Sequence, residues 1–305
     1  MRSYSFYRQY HNYTGGHQKV ADYIQHTLSK DNTSASLYLD NQSPIESQLF
    51  ENIALLNYQS SYRPQDADVA FIAGMDWRQY SREFNEDQIK LNLIQHVRHG
   101  NKDHPLFQFL QHKAVRICVS DAVYQAIKPY ANGPCRVIRM GHNIPKINRR
   151  KENDLYILGN KQPELAERIG EWAQKKQYRV QIHSEYVPKH EVLDGMASSK
   201  ISLVLPNAKE GFYLPGIEAM ALSHWAVVPH CVANEEYMKP QVNATQCELE
   251  FASCIHGIES AMKALASPLY IMKRWFGRQL AASYTLQTER KAYLALLDEL
   301  DTLWK

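Results

Sequence analysis

Short apolar runs alternate with longer stretches of helical period along most of the 305-residue chain. The runs predict strands at 34–39 (SASLYL), 68–73 (DVAFIA), 91–97 (LNLIQHV), 115–120 (VRICVS), 135–140 (CRVIRM), 154–159 (DLYILG), 178–183 (YRVQIH), 201–206 (ISLVLP) and 225–230 (WAVVPH). Between them, apolar positions at helical spacing predict helices over 17–29, 162–175, 190–197, 215–223 and 257–266. The final stretch from Ser267 is also helical in pattern, with Pro268 at its start. Strands alternating with helices imply α/β architecture, with parallel sheets covered on both faces. The polar segment NIPKINRRKEND (143–154) breaks the pattern and places a boundary there: a first domain at 1–148 and a second at 149–305, whose terminal helices can pack back on the first. Arg149, Arg150 and Lys151 read as a solvated linker, favoured over a phosphate or lipid contact. In such sheets ligands lie beyond the carboxyl ends of the strands, so the loops after strands carry the candidate chemistry.

Composition narrows the partners. Hydrophobic residues make up 44% and charged residues 22%, enough for a sizeable soluble core. A net charge of +3 is too mild to require nucleic acid. The five cysteines show no C-x-x-C spacing, which argues against a disulfide framework and a structural zinc site and for reduced thiols. The start of the chain lacks a signal-like apolar core, and no run approaches the ~18 apolar residues of a membrane span. A cytoplasmic protein is the expectation. Trp275 and Phe276, amid Lys273, Arg274 and Arg278, leave two readings: packing of a terminal helix, which is favoured, or weak peripheral contact with the inner membrane face. Oligomeric state is not legible.

The most informative stretch is EGFYLPGIEAMA (Glu210–Ala221), the loop and helix after ISLVLP. Pro215 suits the first helical position, which makes Leu214 the residue before the helix, and leucine has no oxygen to cap it. The amides of Gly211, Phe212, Tyr213 and Leu214 are then available to an anion, assisted by the helix dipole. Glu210 and Glu218 flank these amides, and a carboxylate accepts two hydrogen bonds from vicinal hydroxyls of a ribose or hexose. Phosphate on amides and hydroxyls on carboxylates describe a nucleotide sugar. The competing reading is a plain helix start, with Glu218 favoured by the dipole and Glu210 solvated.

The run EGFYLPGIEAMALSHWAVVP resembles the E-x7-E signature of the group 1 retaining GT-B glycosyltransferases. Both glutamates, Gly211, Phe212, Leu214 and Pro215 are in place, while Tyr213 stands where glycine is common and LSHW replaces the usual turn. DLYILGNK, RICVS and CRVIRMGHNI resemble further segments of that family in the same order. The resemblance implies two Rossmann-like domains facing a cleft, with Glu218 on the ribose, Glu210 on the donor sugar and the amides near Phe212–Leu214 on the diphosphate. The family's arginine after the first strand of the second domain is missing from GNKQPELAER, so Lys161 takes its place as the candidate, ahead of Arg168.

In the first half, YTGGHQK places Gly15 and Gly16 at the start of a helix, either as a plain tight turn or as a backbone approach to the acceptor. LIQHVRHG places His96, Arg98 and His99 after a buried strand. The family often has a histidine facing the reacting sugar there, so His96 is the catalytic candidate, with Arg98 and His99 on the acceptor side and a structural histidine as the alternative. No histidine group has metal-ligand spacing, and Asp66–Asp68 lies at the amino end of its strand. The expected reaction is therefore a metal-independent, retaining transfer from a nucleotide-diphosphate sugar to an acceptor hydroxyl in glycan or polysaccharide synthesis, without a cofactor. Two alternatives stand: a non-catalytic nucleotide-sugar-binding partner subunit, and another GT-B enzyme such as a nucleotide-sugar epimerase.

Overall fold

A computed structural model describes the chain except residues 12–13, 41–47, 84, 209, 211, 233, 240–241 and 243. The chain forms two compact units: Met1–Met140 with Leu286–Lys305, and Gly141–Thr285. This differs from the boundary read at 148/149. The segment after Met140 belongs to the second unit because the His142 amide bonds the Tyr284 carbonyl (3.1 Å) and His142 bridges Thr285.

The first unit holds a seven-stranded parallel sheet: β1 (Arg2–Arg8), β2 (Thr33–Leu39), β3 (Asn57–Tyr58), β4 (Val69–Ala73), β5 (Ile89–Ile94), β6 (Val115–Cys118) and β7 (Cys135–Val137), in the order β3-β2-β1-β4-β5-β6-β7. With it go helices α1 (Gly15–Leu28), α2 (Gln48–Glu51), α3 (Trp77–Tyr80) and α4 (Asp121–Ile127). The second unit has a five-stranded parallel sheet: β8 (Asn153–Leu158), β9 (Val180–His183), β10 (Ser199–Val204), β11 (Trp225–Pro229) and β12 (Thr245–Cys247), in the order β12-β11-β10-β8-β9. Its helices are α5 (Pro163–Lys175), α6 (Lys189–Ser198), α7 (Leu214–Leu222), α8 (Phe251–Ala266) and α9 (Tyr270–Ser283). The last helices, α10 (Leu286–Asp298) and α11 (Leu300–Trp304), belong to the first unit.

The central strands are buried along most of their length, as expected where helices cover both faces of a parallel sheet. In the second unit Leu155, Ile157, Ile201, Leu203 and Val227 from the sheet pack with Ile169 and Ile258 from the helices. In the first unit α10 is held on α1 by buried polar groups: Lys19 Nζ lies 2.7 Å from Glu289 Oε2 and 2.8 Å from Asp22, and His26 Nε2 is 3.1 Å from the same Glu289 oxygen.

β1 was not among the expected strands, yet it is central and lies just before the Gly15–Gly16 turn. Asp68, at the amino end of β4, accepts the Ser3 amide (2.7 Å) and hydroxyl (2.9 Å), which hold its carboxyl below the usual range. It is thus committed to joining β1 and β4. A cavity of about 550 Å³ lined by Met1, Arg2, Asp68, Asp87 and Ile89 opens at this amino-terminal edge, opposite the end where parallel α/β sheets bind ligands.

Candidate functional site

Strand order in the second sheet reverses between β8 and β10: the chain proceeds to β9 on one side and to β11 and β12 on the other. The loops leaving the carboxyl ends of β8 and β10 diverge at this point, the usual ligand position in doubly wound sheets. Lys161 is in the first of these loops, and Glu210 and Tyr213 are in the second.

The loop after β8 is tight. The Gln162 amide bonds the Gly159 carbonyl (2.8 Å), and a Cβ on Gly159 would come within 2.1 Å of the Ala166 Cβ, so glycine there lets α5 approach. Lys161 projects from this turn. Its Nζ donates to Glu210 Oε1 and lies 5.0 Å from the centroid of the Tyr213 ring. In the loop after β10, the Glu210 amide bonds the Asn207 carbonyl (3.3 Å), and the Asn207 amide reaches back to Glu210 Oε1 (3.4 Å). The Val232 amide bonds the Ala208 carbonyl (3.2 Å), tying this loop to the one after β11.

Helix α7 begins at Leu214, with Pro215 as its second residue and Tyr213, not Leu214, at the capping position. Among the described residues no side chain caps it. Among the described residues, the amides of Phe212, Tyr213 and Leu214 donate to no protein group. The Tyr213 carbonyl accepts from the Gly216 amide (3.2 Å) and the Tyr237 hydroxyl (2.7 Å). A Cβ on Gly216 would lie 2.6 Å from that hydroxyl, so this glycine admits the group that orients the helix start. The Tyr213 ring is buried. Its hydroxyl is pushed well above the usual phenol range by burial and, in lesser degree, by the carboxylates of Glu210 and Glu218. One ring therefore lies near both glutamates.

Glu218 is 4% exposed, which rules out a freely solvated carboxylate. Its Oε1 lies 3.3 Å from Lys189 Nζ, at the start of α6. Burial raises its pKa above the usual carboxylate range, and Lys189 opposes that shift without cancelling it. Lys189 was not among the sequence-derived candidates. Gly211 was, and it lies outside the described residues. Arg168 stacks over the Phe251 ring, 4.7 Å from its centroid.

In the first unit, His96 follows β5 and caps a short turn: its Nδ1 accepts the Arg98 amide at 3.1 Å. In the neutral ring the proton is then on Nε2. Arg98 is exposed. His99, read as an acceptor-side residue, is buried, with its pKa lowered to about 3 by burial and by the charges of Arg98 and neighbouring histidines. It is a neutral packing histidine, since the loop presses onto α4, where a Cβ on Gly100 would meet the Ala126 carbonyl oxygen at 2.1 Å. Gly15 is exposed and Gly16 half-buried at the start of α1, which Thr14 caps through the His17 amide (3.2 Å). Gln95 Nε2 donates to the Gly16 carbonyl (3.4 Å), joining the glycine turn to the end of β5. Among the described residues no group of three or more histidines, cysteines or acids can hold a metal ion, and no helix is long and apolar enough to cross a membrane.

No family model and no curated protein matches the chain. Solved structures do. Sucrose-phosphate synthase from Thermosynechococcus elongatus aligns over 99% of this chain and 100% of its own, with a TM-score of 0.69 and 13% identity. HepE from Anabaena, solved in complex with UDP-glucose, aligns over 98% of this chain and 100% of its own, with a TM-score of 0.74 and 13% identity. The lipopolysaccharide outer core galactosyltransferase WaaB aligns over 98% and 99%, with a TM-score of 0.70 and 8% identity. The fold is that of the GT-B glycosyltransferases. At such identities the likeness is one of fold, and what this GT-B chain does rests on its own residues.

Proposed function

We propose that the chain is a glycosyltransferase of the E-x7-E group that transfers a sugar from a nucleotide-diphosphate donor to an acceptor hydroxyl with retention of configuration. The observation that carries this reading is the start of α7, an uncapped helix end at the switch point of a parallel sheet, flanked by two carboxylates that each face a lysine. The amides of Phe212, Tyr213 and Leu214, and that of Gly211, would take the diphosphate, with the helix dipole adding to their attraction. Lys161 would share its charge between Glu210 and the phosphates, and Glu218 would accept the ribose hydroxyls. Glu210 would hold the hydroxyls of the donor sugar. The fold is shared with proteins that handle such donors, HepE among them.

In the transfer step the bond between the anomeric carbon and the diphosphate oxygen breaks while the acceptor oxygen attacks from the same face. The acceptor proton passes to the departing phosphate oxygen. Amides and lysines stabilise the charge that develops on the diphosphate, so the step needs neither a carboxylate nucleophile nor a metal ion. His96, with its proton on Nε2, would donate a hydrogen bond during the transfer; Arg98, Gly15 and Gly16 are proposed to serve the acceptor.

The test is a thermal-shift screen of UDP-, GDP-, ADP- and CMP-sugars, followed by an assay for nucleotide release with and without acceptors. A donor at about 100 times its Kd stabilises by roughly 2.7 kcal/mol, which such a screen detects. Acceptor-dependent release supports transfer. Binding without turnover over an acceptor panel would make the chain a non-catalytic partner subunit, and a changed donor sugar without acceptor would make it an epimerase. Failure of every donor to bind would remove the reading altogether.

A further inference from the structure

Helix α9 is turned inside out relative to an ordinary surface helix. The residues it buries are the small Gly277 and Ala281, while its large apolar side chains face solvent. Ile271, Met272, Trp275 and Phe276, with Leu269 just before the helix, are between 42% and 72% exposed. On a helix, positions 271, 272, 275 and 276 fall on one face over successive turns, and the Trp275 and Phe276 rings touch edge to face at 5.2 Å. Single exposed apolar residues are ordinary, but a contiguous set on one helix face marks an interaction surface.

The helix itself carries one sign of charge. No acidic residue occurs between Glu259 and Glu289, whereas α9 itself contributes Lys273, Arg274 and Arg278. Arg274 and Arg278 lie close enough to Lys151, in the same unit, to add to the effect of burial in lowering its pKa to about 8. His224, whose ring lies 5.9 Å from Tyr270, is lowered to about 4 by burial and then by Arg274, Lys151, Arg278 and Lys200. An apolar, tryptophan-bearing face edged by cations is the pattern of a helix lying in the interface of an anionic bilayer.

We propose that the outward face of α9 docks on an anionic lipid bilayer surface. Ile271, Met272, Trp275 and Phe276 enter the headgroup boundary, and Lys273, Arg274 and Arg278 meet the lipid phosphates. A second copy of the chain is the poorer occupant, because two-fold pairing of this face would set those three cations against their own copies with no acid on the helix to balance them. Since α9 packs against α7, the docked face belongs to the same unit as the candidate donor site. The proposal does not depend on what α7 binds.

The test uses the full chain and two kinds of vesicle, phosphatidylcholine alone and phosphatidylcholine mixed with phosphatidylglycerol. Cosedimentation is expected with the mixed vesicles only and should weaken as salt rises, since exposed charges are screened within about 10 Å at 0.1 M. Trp275→Ser combined with Phe276→Ser should lower the partition coefficient tenfold or more. Arg278→Glu should lower it at least fivefold, because each basic side chain near such a surface contributes about that factor. These positions are exposed, and unchanged melting temperatures would show that the variants fold. Equal binding by the variants and the parent, or no sedimentation with mixed vesicles, overturns the proposal. So does a concentration-dependent dimer in analytical ultracentrifugation that the Trp275→Ser/Phe276→Ser variant abolishes, because the face would then be covered by a second copy.

Discussion

Replacing Glu218 tests the donor site most directly, because this side chain is a buried, ionisable carboxyl. The residue is 4% exposed, with Lys189 at 3.3 Å from its carboxylate, and burial still keeps its pKa above the ordinary 4.5. A hydrogen bond to a charged acceptor contributes about 1.5–3 kcal/mol. Losing one of two ribose bonds therefore weakens the donor roughly 10- to 150-fold, and losing both weakens it by more. Glu218→Ala, which removes both acceptor oxygens, is expected to raise Kd to the top of that range or beyond it, and Glu218→Gln, which keeps one acceptor oxygen, to raise it less. The pH dependence has a definite sign. A carboxylate whose folded pKa is raised contributes stability that is fully present below about 4.5 and lost as pH rises through the higher folded value. At neutral pH the Gln variant should thus melt no lower than the parent, which separates loss of a ligand bond from loss of the fold. Donor affinity should move the other way, growing as pH rises through that same window because ribose hydroxyls donate to the ionised form. In the Gln variant the profile should be flat. Calorimetric titration of an intact nucleotide-diphosphate sugar against each folded variant measures all of this. An unchanged Kd in Glu218→Ala would refute the ribose assignment.

His96→Ala should lower kcat on the order of 100-fold while leaving donor Kd near that of the parent, as for an interaction made in the transition state; a normal kcat would return His96 to its role as a turn cap. Transfer is expected to persist in EDTA, because amides and lysines suffice to hold the diphosphate, and complete loss restored only by magnesium or manganese would contradict that mechanism. Gly100→Ala should destabilise the first unit strongly, since the added carbon would fall 2.1 Å from the Ala126 carbonyl oxygen, whereas Gly15→Ala has nothing within 4 Å and should melt as the parent does or slightly higher. Equal melting temperatures for the two alanine variants would show that the Gly100 contact relaxes at little cost.

The sheets were legible where strands are aliphatic and hidden where they are not. Ile201–Val204 and Val227–Val228 declare themselves as buried strands, and the structure places them at the centre of the second sheet. β1 (RSYSFYR) is equally central, but it buries Tyr4, Ser5, Phe6 and Tyr7 together, and tyrosine and serine do not read as an apolar run. Missing it left the Gly15–Gly16 turn without its strand. β3 and β12, of two and three residues, sit at sheet edges and are too short to leave a period. Helix α8 begins at Phe251, ahead of the helix read over 257–266, and Gly257 lies inside it. That glycine serves close packing: a Cβ there would lie 3.1 Å from the Val227 side chain.

The candidate site divides along the same physical line. What a single segment encodes was visible: the uncapped start of α7, the carboxylates on either side of it, and the proline that fixes the helix, displaced by one residue. What depends on chain crossings was not. Lys189 reaches Glu218 only because α6 returns along β10 and α7 follows from that strand's far end, so no spacing in the sequence pairs them. The burial of His99 depends on chain packing in the same way. Its position after a buried strand fits a ligand loop, but the way that loop packs on α4 turns the ring inward, and a neutral, buried imidazole contributes packing and no charge. Local sequence reveals where a helix dipole and a carboxylate can meet a ligand, while the cations that neutralise those carboxylates are recruited by topology. Lys161, on the loop after β8, and Lys189, at the start of α6, come from separate crossovers of one sheet, and that sheet's strand order is what delivers both to the two glutamates.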